Sequence, residues 1–95
     1  MKSFDEDPNV AVITTKHVLE KASPILFVFH YEDGSWQFSG PETELLDEDY
    51  RVVSLEEIIQ LDPTVLEVAD LPYEGEAQRE SANSQWTVKS QSTFG

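Results

Sequence analysis

Residues 25–38 read Ile-Leu-Phe-Val-Phe-His-Tyr-Glu-Asp-Gly-Ser-Trp-Gln-Phe, two strand-forming runs separated by an Asp-Gly pair. β-branched and aromatic residues at such density favour extended backbone, and Asp-Gly tolerates the positive φ angles of a type I′ turn. The pattern predicts a hairpin closed by the two residues Asp33-Gly34. That turn sets Tyr31 opposite Trp36, His30 opposite Gln37 and Phe29 opposite Phe38, gathering four aromatic rings on one face. Both faces of residues 25–31 are largely apolar, which predicts a central strand covered on both sides.

The rest of the chain supplies short elements around this hairpin. Ala11-Val12-Ile13 reads as a strand, and Thr14 or Thr15 can cap a short helix that Pro24 ends. Arg51-Val52-Val53 is extended. Ser54-Leu55-Glu56-Glu57 has the form of a capping box, opening a helix that buries Leu55, Ile58, Ile59 and Leu61. Asp62-Pro63 starts a second helix in the same way, with proline at the first helical position. A short strand containing Ala77 and Arg79 and a last strand centred on Trp86 and Val88 complete the set. The expected class is α+β: a small antiparallel sheet with a central Asp-Gly hairpin packed against two or three short helices. Residues 1–9 carry Asp5, Glu6, Asp7 and Pro8 and read as a flexible acidic arm, 10–89 as one domain, and 90–95 as a frayed tail.

Charge narrows the function. Nineteen acids against six bases give a net charge of −13 in 95 residues. Nucleic acid and anionic membranes are poor partners for such a surface, because phosphate contacts need clustered Lys and Arg. Here Lys2, Lys16, Lys21, Arg51, Arg79 and Lys89 are scattered. There is no cysteine, so no disulfide can form. The N-terminus lacks the apolar stretch of a signal peptide, and no apolar run approaches the ~20 residues of a membrane span. These features lead to the expectation of a cytoplasmic protein.

Several segments occur together in an order that resembles a family of small uncharacterised bacterial proteins, often acidic. They are Asp33-Gly34-Ser35-Trp36-Gln37-Phe38 with Ser39-Gly40, Val53-Ser54-Leu55, Asp62-Pro63, Ala69-Asp70-Leu71-Pro72, Ala77-Gln78-Arg79-Glu80-Ser81, and Trp86. Together they span roughly residues 11–88. The chain is also distantly similar to immunity-protein domains of bacterial toxin systems. The resemblance implies no catalytic residues. Relatives place cysteine near Ser39 or Leu55, where this chain has none, so no metal or redox role follows from those positions.

Catalytic chemistry finds little footing in the sequence. Nucleophilic catalysis needs Cys or Ser beside His and a carboxylate, but there is no Cys and no Gly-x-Ser-x-Gly turn. His30 lies mid-strand, where a packed histidine is the ordinary case, and His17 sits on a short helix facing solvent. Zinc-type Cys/His spacings are absent, and the acids of 47–49 lack the spacing of a calcium loop. With nineteen acids, a pair at glycosidase spacing arises by chance. The expectation is a non-enzymatic chain without cofactor or metal.

Two binding sites remain as candidates. Residues 42–49 hold Glu42, Glu44, Asp47, Glu48 and Asp49 and no base, either a solvated loop or a surface for a basic protein. The latter predicts an interaction domain, immunity-protein-like, that neutralises a basic partner. Alternatively, Trp36, Arg79 and Trp86 line a pocket for a small anionic ligand. On the structural reading, Arg79 instead locks a carboxylate such as Asp70 or Glu80, or a backbone carbonyl, and both tryptophans are core.

Overall fold

Six strands form one sheet: β1 (Ala11–Thr15), β2 (Phe27–His30), β3 (Trp36–Ser39), β4 (Tyr50–Ser54), β5 (Glu76–Gln78) and β6 (Thr87–Lys89). Their spatial order is β4-β1-β3-β2-β5-β6. The computed structural model describes residues 3–89. The described helices are α1 (Lys16–Leu19) and α2 (Leu55–Leu61), with two 3-10 segments, Asp47–Asp49 before β4 and Pro63–Val68 after α2. The fold is α+β, but the sheet is mixed where an antiparallel one was expected. After β1 and α1 the chain skips one strand position to lay down β2. β3 turns back into the gap, parallel to β1, with Ile13 opposite Gln37. No described helix is long and apolar enough to cross a membrane.

The helix starts follow the local sequence signals. Thr15 caps α1 by accepting the Val18 N–H, Ser54 caps α2 by accepting the Glu57 N–H, and Asp62 accepts the Thr64 N–H. Each hydroxyl or carboxylate satisfies a backbone donor that the first helical turn leaves unpaired. The second expected helix, with Pro63 in its first turn, is the 3-10 segment Pro63–Val68.

The connection between β2 and β3 is one residue longer than expected. Gly34 N–H donates to the Tyr31 carbonyl at 3.0 Å, and Tyr31 N–H to the Ser35 carbonyl at 2.8 Å. Gly34 has φ +92°. This is a three-residue loop, a type I turn followed by a glycine bulge, rather than a type I′ pair. Asp33 stabilises it by accepting the Ser35 N–H at 2.9 Å, which holds the Asp33 carboxyl below the usual carboxylate range. The extra residue slips the register by one. His30 lies opposite Trp36, Val28 opposite Phe38 and Phe29 opposite Gln37.

A one-residue slip decides which side chains share a face. Trp36 and Phe38 turn inward with Val28 and His30. Phe27 and Phe29 turn to the other side of the sheet, so the four rings expected together are split. The inward face packs with Val12, Val18, Ile25, Leu55, Ile58, Val65, Val68, Leu71 and Ala77 into the core. The helices therefore cover one face, and β2 is central in the sheet without being covered on both sides.

Residues 4–10 are not a free arm. The Phe4 ring packs edge-on against Trp36 at 4.9 Å and Phe38 at 6.2 Å. Glu6 accepts the Trp36 Nε1–H at 2.9 Å, and the Pro8 carbonyl accepts the Glu56 N–H at 2.9 Å. A core this small gains from any apolar cover, and Phe4 supplies one over two large rings. Residues 1–2 and the predicted frayed tail, 90–95, lie outside the described residues.

Candidate functional site: an open sheet face and its acidic rim

The sheet face opposite the helices carries Ile13 on β1, Phe27 and Phe29 on β2, and Tyr50 and Val52 on β4, with Tyr31 just beyond β2. Phe27 is 39% exposed, Tyr50 37% and Val52 71%. The Phe29 and Tyr31 rings lie 4.6 Å apart, and Tyr31 Oη donates to Gln37 Oε1 at 2.5 Å. Partial burial raises the Tyr31 phenol above its ordinary range, with the charges of Tyr50 and Asp33 adding to the effect. Across all six strands the only acid is Glu76, and it lies opposite Lys89. The remaining acids of the described residues lie outside the strands, in the loops, helices and N-terminal segment.

The structure divides the five acids of residues 42–49. Asp49 is turned inward, where its carboxylate accepts the Leu46 N–H at 2.9 Å and pairs with Lys16 Nζ at 3.2 Å. These two partners, the backbone donor first, hold its carboxyl below the usual range. Glu42 is half-buried and accepts the Ser23 hydroxyl. Glu44, Asp47 and Glu48 are exposed. Three of the five thus form a surface, and two are part of the fold.

Trp36, Arg79 and Trp86 do not form a common pocket. Trp36 is 1% exposed and sits beside His30 at one end of β2. Arg79 lies past the other end, its Nε–H on the Ile25 carbonyl at 3.0 Å. Five residues of chain separate these points, roughly 16 Å in extended geometry. The Arg79 guanidinium is occupied internally. It donates to Asp62 Oδ2 at 2.7 Å, Thr64 Oγ1 at 2.9 Å and the Ala82 carbonyl at 3.2 Å, and stacks over Trp86 at 4.1 Å. Its carboxylate partner is Asp62, not the expected Asp70 or Glu80. Trp86 instead borders an open groove of about 820 Å³ with Leu66, Val68 and Val88.

One histidine and one acid do converge, which the sequence reading did not foresee. His30 Nδ1–H donates to the Leu71 carbonyl at 2.8 Å, because a carbonyl can only accept. Its Nε2 is 3.9 Å from the Glu6 carboxylate and has no hydrogen-bond partner. The ring stacks on Trp36 at 3.9 Å and leans on Tyr73 at 4.8 Å. His30 is 6% exposed, closed beneath the N-terminal segment rather than lining a cleft. Among the described residues no three His, Cys, Asp or Glu side chains come together as metal ligands would.

Comparison of the chain with protein-family models, with curated proteins and with solved structures gives no match. Sequence reasoning had missed the open face, because its position depends on the register slip. The available signal was negative: the strand segments of an acidic chain are almost free of acids.

Proposed function

We propose that the chain is a non-enzymatic protein-interaction domain, in the manner of an immunity protein, that captures and neutralises a basic protein partner. The observation that carries this reading is the partition of charge. An open, aromatic, nearly acid-free sheet face ends at β4, and exposed Glu44, Asp47 and Glu48 lie in the segment of chain that leads into that strand. Protein interfaces have this anatomy, an apolar and aromatic centre with a charged rim. A rim of one sign steers an oppositely charged partner and disfavours others. The arrangement of His30 supports the non-enzymatic part, since a general base must reach its substrate and this ring is walled by Trp36, Tyr73 and Glu6.

The test takes a partner identified by cross-linking and purified for titration against the chain. Reversing Glu44, Asp47 and Glu48 to lysine should weaken binding by an order of magnitude or more at low salt, with most of the loss in association rate. Reversing the exposed Glu20, Glu74 and Glu80 makes the same change in net charge elsewhere and should cost much less. Equal losses from the two triple variants would refute a localised rim, and an acidic partner would refute the reading.

A further inference from the structure

We infer that the free edge of β4 is an addition site, where the basic partner inserts an extended segment as a seventh strand flanked by lysine or arginine. The inference rests on the basic-partner reading above and specifies how the partner is held. The sheet has two outer strands, and they are not alike. β6 has three residues and ends in Lys89, a short, charged edge of the kind that resists strand pairing. β4 has five residues, contains no proline, and pairs with β1 in unbroken register from Ala11–Ser54 to Thr15–Tyr50.

The ladder determines which backbone groups of β4 face outward. Leu55 N–H donates to the Val10 carbonyl directly opposite. Antiparallel pairs alternate between bonded and non-bonded, so the pairs at Val53 and Arg51 are bonded to β1. The N–H and C=O of Val52, and the N–H of Ser54, then point away from β1 to the open edge. Tyr50 is already partly used, its N–H on the Asp47 carbonyl and its C=O on the Arg51 guanidinium at 2.9 Å. An incoming residue opposite Val52 would exchange both backbone hydrogen bonds with it. The incoming side chains would extend the aromatic face beside Val52, which is 71% exposed.

Charge identifies the occupant. Exposed Asp47 and Glu48 precede β4, and exposed Glu56 and Glu57 follow it. The one cation of β4, Arg51, is folded back onto the Glu48 and Tyr50 carbonyls. A strand flanked at both ends by cations meets complementary charge at both ends. A second copy of this chain would bring further acids to the same positions, and like charges there oppose pairing.

The 95-residue chain, labelled with ¹⁵N, would be titrated with a peptide of alternating valine and threonine carrying two lysines at each end. Val52 and Ser54 amide signals should shift, and their hydrogen exchange should slow. Two further peptides carry the same charge with backbone N-methylation on alternate residues, one in each phase. One of the two should bind at least about tenfold more weakly, since it cannot complete the ladder. Undiminished binding of both would overturn strand addition while leaving acidic capture intact. Equal binding of a glutamate-flanked peptide would overturn the basic-partner reading instead. Val52→Pro, checked for folding by circular dichroism, should also abolish binding of the unmethylated peptide. Unmoved Val52 and Ser54 signals would sink the proposal.

Discussion

Arg79 shows what one buried guanidinium does in a chain with few bases. It joins three separate stretches of chain, through Ile25, through Asp62 with Thr64, and through Ala82. The fork geometry matters as much as the charge, because several donors leave one rigid plane in different directions. Arg79→Met should cost about 3 kcal/mol in urea denaturation, since it leaves Asp62 Oδ2 without its guanidinium partner. Arg79→Lys keeps the charge but not the fork, and should still lose more than about 1 kcal/mol with at least two hydrogen bonds unmade. An unchanged urea midpoint for Arg79→Lys would show that charge alone suffices. Asp49 acts on stability through pH. The Leu46 N–H and Lys16 place its folded pKa below its unfolded value. Its contribution is therefore complete above the unfolded carboxylate's ~4 and is lost as pH falls through the lower folded value. Asp49→Asn keeps an oxygen for the Leu46 N–H but drops the charge. The stability gap between wild type and this variant should shrink from about pH 6 to about pH 3. A constant gap across that range would remove the charge from the account.

At the scale of elements, what could be read from the sequence was what a few neighbouring residues decide. Thr15, Ser54 and Asp62 each cap a helix within three residues of themselves, so the signals at those positions sufficed. The strands near Ala11, Phe27, Trp36 and Val52 were legible from composition. Tyr31-Glu32-Asp33-Gly34-Ser35, by contrast, closes a hairpin with either two or three loop residues, and local preference does not choose. The choice is made by burial: the observed register places Trp36 and Phe38 at 1% and 0% exposure. From that slip follow the outward Phe27 and Phe29, and with them the candidate face. The parallel pairing of β1 with β3 was equally out of reach, because it depends on β2 skipping a position. Phe4 was obscured by the acids around it, although a lone aromatic among charges was a hint of docking. For Arg79 the kind of bond was legible, but Asp62, 17 residues away, could not be singled out among so many acids.

Over the whole molecule, acids outnumber bases by 13 within a body of 38 × 27 × 26 Å. Of the cations, Lys16 is bound to Asp49, Arg79 to Asp62, and Arg51 to its own backbone. The carboxylates left over repel one another, and compaction brings them closer. Salt acts on this term because the screening length at 0.1 M, about 10 Å, is well below the molecular dimensions. Screening also weakens the attractive pairs, but the Arg79 side chain is 1% exposed, so its pair with Asp62 is less affected. Raising NaCl from about 0.01 to about 0.15 M should therefore raise Tm by several degrees, as expected for about 1 kcal/mol in a domain of this size. On the proposed reading the same change should weaken capture of a basic partner, because binding there would rely on the unscreened field of Glu44, Asp47 and Glu48. Opposite responses to one variable separate repulsion within the fold from attraction across the interface. A falling Tm would mean that internal pairs dominate. Partner binding indifferent to salt would mean that the aromatic face, without its rim, does the capturing.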